Sequence, residues 1–272
     1  MSNIRLLLSY DGTAYHGFQR QPEFHGPTIQ GTLEAVWREL SGEEVVFTTA
    51  GRTDAGVHAA GQVVNFHSGT RIPRQKIPKA FNSLLPRDIR VLSAEDVADD
   101  FNARHDAKWK RYDYRIDNRP IPNVFQRIYA LHEPIPLEVK LMREAAQLLE
   151  GTHDFRAFAA SSTSSKTFTR TLYRCAVRHE AGLLCITCIG DGFLYNMVRI
   201  IAGTLLDAGK GRLDAAEIPA IIASGERRRA RETAPPHGLT LTYVHYGAET
   251  PREVFPELFL QAGWDGGKDV RL

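Results

Sequence analysis

The chain has 272 residues, 43% hydrophobic and 24% charged, with a net charge of only +2. That is ordinary composition for a globular enzyme, enough for one large domain or two smaller ones. No apolar run reaches the roughly 20 residues that span a bilayer, and three cysteines are too few for a disulfide framework.

The N-terminal stretch MSNIRLLLSYDG turns polar too early for a secretory signal, so a cytoplasmic protein is expected. Ile4–Tyr10 reads as a strand. Residues 11–27, rich in glycine, aromatic and polar residues, read as a loop. Thr28 caps a helix in which Ile29, Leu33, Val36, Trp37 and Leu40 recur at helical spacing. Glu44–Thr49 is β-rich, Gly51–Gly56 is a turn, and Gly61–Phe66 resumes as a strand. Pro73–Leu84 reads as a helix and Ile89–Ser93 as a short strand. The order β-α-β-β-α-β is the split βαβ pattern.

The second half follows the same style. Trp109–Asp117 and the pair Thr171–Glu180 and Leu183–Gly190 read as strands. Leu137–Glu150, Tyr195–Ala208 and Ala215–Ser224 read as helices, and Leu239–Tyr246 closes as a strand. The fold class is therefore α+β, with mainly antiparallel sheet. The expected organisation is an N-terminal half 1–104, a C-terminal half 105–247 sharing one sheet with it, and a peripheral tail 248–272.

Basic residues cluster despite the small net charge. Arg71, Arg74, Lys76, Lys79, Arg87 and Arg90 face a single acid, Asp88; a second cluster spans 104–119, and RRRAR runs from Arg227 to Arg231. Each is either a solvated face or a track for phosphates. Cys185 and Cys188 lie three apart in an apolar strand, so they point to opposite faces and suit neither a shared metal nor a disulfide.

The sharpest local feature is GRTDAGVHA, Gly51–Ala59, which sets Asp54 between a strand and a glycine turn. A lone turn aspartate is often structural. Asp54 and His58 fall short of a metal-ligand set, and no nucleophile-elbow sequence accompanies them. GRTDAGVHA closely resembles the signature of the tRNA pseudouridine synthase A family. YDGTAYHGFQRQ (10–21), FNARHDAKWKRYDYRI (101–116), GFLYNMVRIIAGTLLDAG (192–209) and APPHGLTLTYVHY (234–246) resemble its other segments, in the family's order. The resemblance ends near residue 247.

It implies two ferredoxin-like, RNA-recognition-like halves around a cleft, and conversion of uridine to pseudouridine at positions 38, 39 and 40 of the tRNA anticodon stem-loop. It further implies a homodimer. With no full ligand set around Asp54 and no second cysteine pair, neither a metal nor an organic cofactor is expected. Asp54 matches the catalytic aspartate. It could attack C6 or C1′, or move a proton on a glycal route, and the sequence does not choose. Arg199, the basic residue of an apolar helix, matches an arginine that would serve as counter-ion to Asp54. Tyr112 matches the active-site tyrosine, although Tyr114 shares its strand face. Arg52 matches a residue that would help flip the target base. His58 is assigned a loop-stabilising hydrogen bond. Leu239 and Leu241 are assigned to packing, and Tyr195 and Asn196, where family members vary, carry no chemistry. A non-catalytic RNA-binding protein on the same fold is the rival from another class; it would have no need of Asp54, Tyr112 and Arg199 together.

Overall fold

The computed structural model describes residues 1–21, 26–162 and 165–260. In chain order the strands and helices are β1 (Ser2–Tyr10), α1 (Ile29–Ser41), β2 (Thr48–Thr49), β3 (His58–Ser68), α2 (Ile77–Leu84), β4 (Ile89–Val97), β5 (Trp109–Asp117) and β6 (Leu131–His132). They continue with α3 (Val139–Gln147), β7 (Gly151–Asp154), β8 (Thr169–Glu180), β9 (Leu183–Gly190), α4 (Met197–Gly209), α5 (Ile218–Ser224), β10 (Leu239–His245) and α6 (Pro251–Val254). The protein is mixed α+β with mostly antiparallel pairing, as expected. It divides into two compact units. Met1–Lys108 with Thr240–Tyr246 form one, and Trp109–Leu239 with the described part of 247–272 form the other.

In the first unit β1 is central. It runs antiparallel to β3 (Ile4 opposite Phe66) and to β4 (Ile4 opposite Asp96), while β2 pairs antiparallel with β3. The start of β10 lies parallel to β3, with Thr240 opposite His58. Alternate residues of β1, Ile4, Leu6, Leu8 and Tyr10, are buried, as the period-two rule requires. Thr28 caps α1 by accepting from the Gly31 amide at 3.2 Å, and Gly42, at φ 73°, closes it. Trp37 of α1 stacks on Phe81 at 5.3 Å and meets Phe66 edge-on at 4.9 Å. This aromatic cluster fixes both helices to the sheet.

Two departures from expectation have local causes. Of the β-rich 44–49 stretch only Thr48–Thr49 pairs as strand. Phe47 instead drops into the cluster against Phe66, and Glu43 takes the Ser68 hydroxyl and the Gly69 amide, so side chains anchor this segment in place of a ladder. Conversely, β4 runs on to Val97. Its second half is polar because it is an edge strand, with Glu95 held by Arg5 and Asp96 by Arg74, so its apolar signal fades before its pairing does.

In the second unit the order is β5-β9-β8-β7, each pair antiparallel, with β6 parallel beside β5. β5 and β9 have the predicted limits, and every β9 residue is buried. Tyr112, Cys188 and Cys175 lie in one cross-strand row. The three cysteines are free and buried, with Sγ of Cys175 and Cys188 3.9 Å apart. Predicted from Tyr195, α4 begins only at Met197, because Asn196 at φ 61° breaks the helical path before it. The described part of the tail, 248–260, packs on the β5–β9–β8 sheet. Trp109 Nε1 donates to the Glu249 carbonyl (3.0 Å), the Arg111 guanidinium lies 4.8 Å from the Phe255 ring, and Arg174 Nε donates to the Leu258 carbonyl (2.6 Å). Residues 261–272 lie outside the described part. No helix among the described residues is long and apolar enough to cross a membrane.

Candidate active site

Asp54 sits in a turn that strand β3 holds from below. The Val57 amide donates to the Asp54 carbonyl at 3.1 Å, closing the turn, and Gly56 takes φ 75°, the position at which glycine is favoured. Asp54 is half-buried and Arg52 is exposed, while Thr53 between them is buried. The loop therefore presents an arginine to solvent and a carboxylate at its edge, and plants a threonine as its root.

The opening loop, residues 11–21, braces this turn. A Cβ on Gly12 would fall 2.0 Å from the Val57 carbonyl oxygen, so only glycine fits there. Gly17, at φ 90°, would bring a Cβ to 2.8 Å from the Thr53 carbonyl oxygen and 3.3 Å from the Ala55 nitrogen. The Phe18 amide donates to the Thr53 carbonyl (3.0 Å) and the Gly56 amide to the Tyr15 carbonyl (3.3 Å). His58, buried, accepts the Gly12 amide on Nδ1 at 3.1 Å, the loop-fastening role assigned to it. Asp11 Oδ1 lies equally near that nitrogen. A ring nitrogen that accepts the Gly12 amide proton cannot at the same time donate to the carboxylate.

Beneath the turn lies a buried polar cluster. Tyr10 Oη and Thr53 Oγ1 are 2.8 Å apart, and Gln62 Nε2 donates to the Gly51 carbonyl (2.7 Å) and to Tyr10 Oη (3.3 Å). Burial pushes the Tyr10 phenol up to about 12, so it stays a neutral donor at working pH.

The remaining candidates belong to the second unit. Tyr112 is buried on β5, and its ring meets Phe193 edge-on at 5.1 Å. Tyr114, on the same face, is engaged differently. Its hydroxyl donates to the Pro235 carbonyl (2.9 Å), Gly238 backs directly on its ring, and burial raises its pKa against the opposing charge of Arg199. The Tyr114 phenol is thus committed to structure. Arg199, on α4, donates from Nε to the Ala234 carbonyl (2.8 Å) and from Nη1 to Asn196 Oδ1 (3.0 Å). The Ala234 amide returns a bond to the Arg199 carbonyl (3.1 Å), and Gly203, one turn on, leaves room for the Glu232 backbone. Ala234 and Asn196 therefore hold the guanidinium between them. Leu239 and Leu241 are both buried.

Of the basic clusters, the Arg227–Arg231 run is split. Arg227 binds the carbonyls of Ala230 and Arg231, and Arg231 approaches Asp207, whereas Arg228 and Arg229 are exposed. In the first cluster Arg71, Lys76, Lys79 and Arg87 remain exposed. Among the described residues no three histidine, cysteine or carboxylate side chains come together as a metal site would require.

The family model for tRNA pseudouridine synthases matches residues 7–106 and 145–247. The chain belongs to the tRNA pseudouridine synthase family. Proteins named tRNA pseudouridine synthase A are its relatives: that of Moorella thermoacetica is 47% identical over 246 residues, 90% of this chain and 100% of the relative. That of Syntrophomonas wolfei is 48% identical over 90% of this chain and 98% of its own, and that of Acetivibrio thermocellus 45% over 90% and 100%. The matched stretches of this family member contain Arg52, Asp54 and Arg199, whereas Tyr112 falls in the gap between them. They also contain Tyr10, Gly12, Gly17, Thr53 and Gln62, whose part in building the turn was not legible in the sequence.

Proposed function

We propose that the chain converts uridine to pseudouridine in tRNA, at positions 38, 39 and 40 of the anticodon stem-loop, with Asp54 as the catalytic carboxylate. The observation that carries this reading is the Asp54 turn itself, a half-buried carboxylate on a loop braced at Gly12, Gly17 and Thr53, within a stretch matched to the family. The reaction breaks the C1′–N1 bond, turns the uracil and joins C5 to C1′. The C5 hydrogen leaves as a proton and N1 gains one, so no electrons are exchanged and no redox partner is called for. Asp54 acts either as a nucleophile, at C1′ or C6, or as the base of a glycal route; each needs it ionised and held in place.

Arg199 is proposed as the counter-ion of Asp54, supported by its place in the third family-like segment, which lies within the stretch matched to the family. Tyr112 is proposed to stack on the extruded base, supported by Tyr114 being committed to Pro235. Arg52, exposed beside Asp54, is proposed to fill the space the base vacates. The two halves, 1–104 and 105–247, are proposed to be ferredoxin-like, which the strand order β4-β1-β3-β2 of the first unit supports. The working protein is proposed to be a cytoplasmic homodimer free of metal and organic cofactor.

The test is to add the protein, with EDTA, to tRNA from cells lacking their own enzyme for these positions and to map pseudouridine. New pseudouridine at 38–40 supports the proposal. Binding without modification would favour an RNA-binding protein, and modification elsewhere would reassign the substrate site.

A further inference from the structure

Tyr10, Gln62 and Thr53 form a polar cluster in a part of the protein that could have been closed with apolar side chains. Their exposures are 4%, 0% and 6%. Tyr10 ends β1, Gln62 lies in the middle of β3, and Thr53 belongs to the Asp54 turn. Burying two hydroxyls and an amide is costly unless every group is paired, and a fully paired cluster is rigid. Here the pairing is directed. One Gln62 Nε2 proton goes to the Gly51 carbonyl at 2.7 Å and the other to Tyr10 Oη at 3.3 Å. Gln62 Oε1 is engaged by the Val63 amide at 3.2 Å, which fixes the orientation of its amide. Tyr10 Oη, which accepts from Gln62, also shares a hydrogen bond with Thr53 Oγ1 at 2.8 Å.

The cluster thus grips the backbone before Arg52, through Gly51, and the side chain after it, through Thr53. The segment between these two grips is where Arg52 turns outward, and Asp54 follows directly. An apolar pair at positions 10 and 62 would join β1 to β3 equally well but would remove the Gln62 bond from Gly51 and the Tyr10 bond from Thr53, leaving only the Thr49 hydroxyl on the Gly51 carbonyl (3.2 Å) and the Phe18 amide on the Thr53 carbonyl (3.0 Å). We infer that Tyr10, Gln62 and Thr53 are positioning residues that set the direction of Asp54 for catalysis. The inference rests on Asp54 being the catalytic carboxylate.

The test compares Tyr10→Phe, Thr53→Val, Thr53→Ser and Asp54→Asn in the full chain, well below each melting temperature. Single-turnover pseudouridine formation and tRNA affinity are measured separately. Small displacements of a reacting group cost up to about 100-fold in rate. Tyr10→Phe and Thr53→Val are expected to lower the single-turnover rate by about 10- to 100-fold with tRNA affinity within about twofold, and Thr53→Ser, which keeps the hydroxyl, to recover most of the rate. Should Tyr10→Phe fold poorly, the Thr53 pair carries the test alone, because valine preserves the shape of threonine. Wild-type rates in the folded Thr53→Val variant, or a rate loss matched by an equal loss of affinity, would overturn the inference. An active Asp54→Asn would instead overturn the reading beneath it.

Discussion

Gly17→Ala isolates the bracing of the Asp54 turn. At φ 90° an alanine costs about 1–2 kcal/mol relative to glycine. Its Cβ would also sit 2.8 Å from the Thr53 carbonyl oxygen, about half an ångström inside ordinary contact. Neither atom is on a flexible side chain, so one of the two backbones has to move, at a further cost of about 1–3 kcal/mol. The same displacement reaches Asp54, whose carbonyl carbon lies 3.4 Å from that Cβ position. Gly182→Ala is the matched control. It has φ 77° in the β8–β9 turn and nothing within 4 Å of its Cβ, so it carries the backbone cost alone. Thermal melts should show Gly17→Ala losing about 2–5 kcal/mol and Gly182→Ala about 1–2 kcal/mol. Single-turnover pseudouridine formation should fall by about 10-fold or more for Gly17→Ala, at a temperature where it is folded, and stay unchanged for Gly182→Ala. A folded Gly17→Ala with the rate of Gly182→Ala would refute the idea that the opening loop aims the catalytic turn.

Three further outcomes are expected. Arg199→Lys, which keeps the charge but loses the two-armed hold on Ala234 and Asn196, should cut the single-turnover rate at least about 10-fold with little change in tRNA affinity. Arg199→Leu should cut it further, and a folded leucine variant at wild-type rate would remove Arg199 from the mechanism. Asp117 is held down to about 2 first by its hydrogen bonds from Arg119, with the Asn123 amide helping against burial. A depressed carboxylate stabilises the fold above its unfolded value near 4, and that stability is lost as pH falls towards 2. Asp117→Asn should therefore be less stable than the parent at pH 7 by about 1–2 kcal/mol, allowing for the exposure of Arg119. Denaturant melts should show this gap closing between about pH 4 and 2, and a gap independent of pH would contradict the linkage. Finally, turnover should persist in EDTA; loss on chelation with recovery on adding a divalent ion would contradict the cofactor-free chemistry.

Much of the fold can be read from periodicity. β5 and β9 match their predicted limits because one alternates and the other is apolar except for Thr187. Helix α1 announces itself through Thr28 and the spacing of Leu33, Val36 and Trp37. The pattern fails where burial is one-sided or where side chains replace ladders. The outer half of β4 pairs through charged residues, and β2 shrinks because Phe47 and Glu43 anchor its approach. Strands β6 and β7, two and four residues long, offer too few positions for any period to register. At the site, Asp54 stands out by its motif alone. The bracing does not, because the approach of Gly17 to Thr53 and the bonds from Gln62 to Gly51 and Tyr10 depend on how distant segments cross. Likewise one of the two holds on Arg199 comes from Ala234, 35 residues away, which no local pattern encodes, whereas the other comes from Asn196 in the preceding turn.

The most direct test of the central claim follows the hydrogen at C5 of the target uridine. Forming the new carbon–carbon bond requires that hydrogen to leave, so tRNA labelled with tritium at C5 of uridine releases its label to water only as pseudouridine forms. The folded Asp54→Asn variant keeps the shape of the turn but has an amide in place of the carboxylate. It is expected to bind the labelled tRNA with near-parental affinity and to release no tritium above background, while the parent releases label in proportion to the pseudouridine mapped at 38–40. Tritium release by Asp54→Asn at a rate comparable to the parent would contradict Asp54 as the catalytic carboxylate.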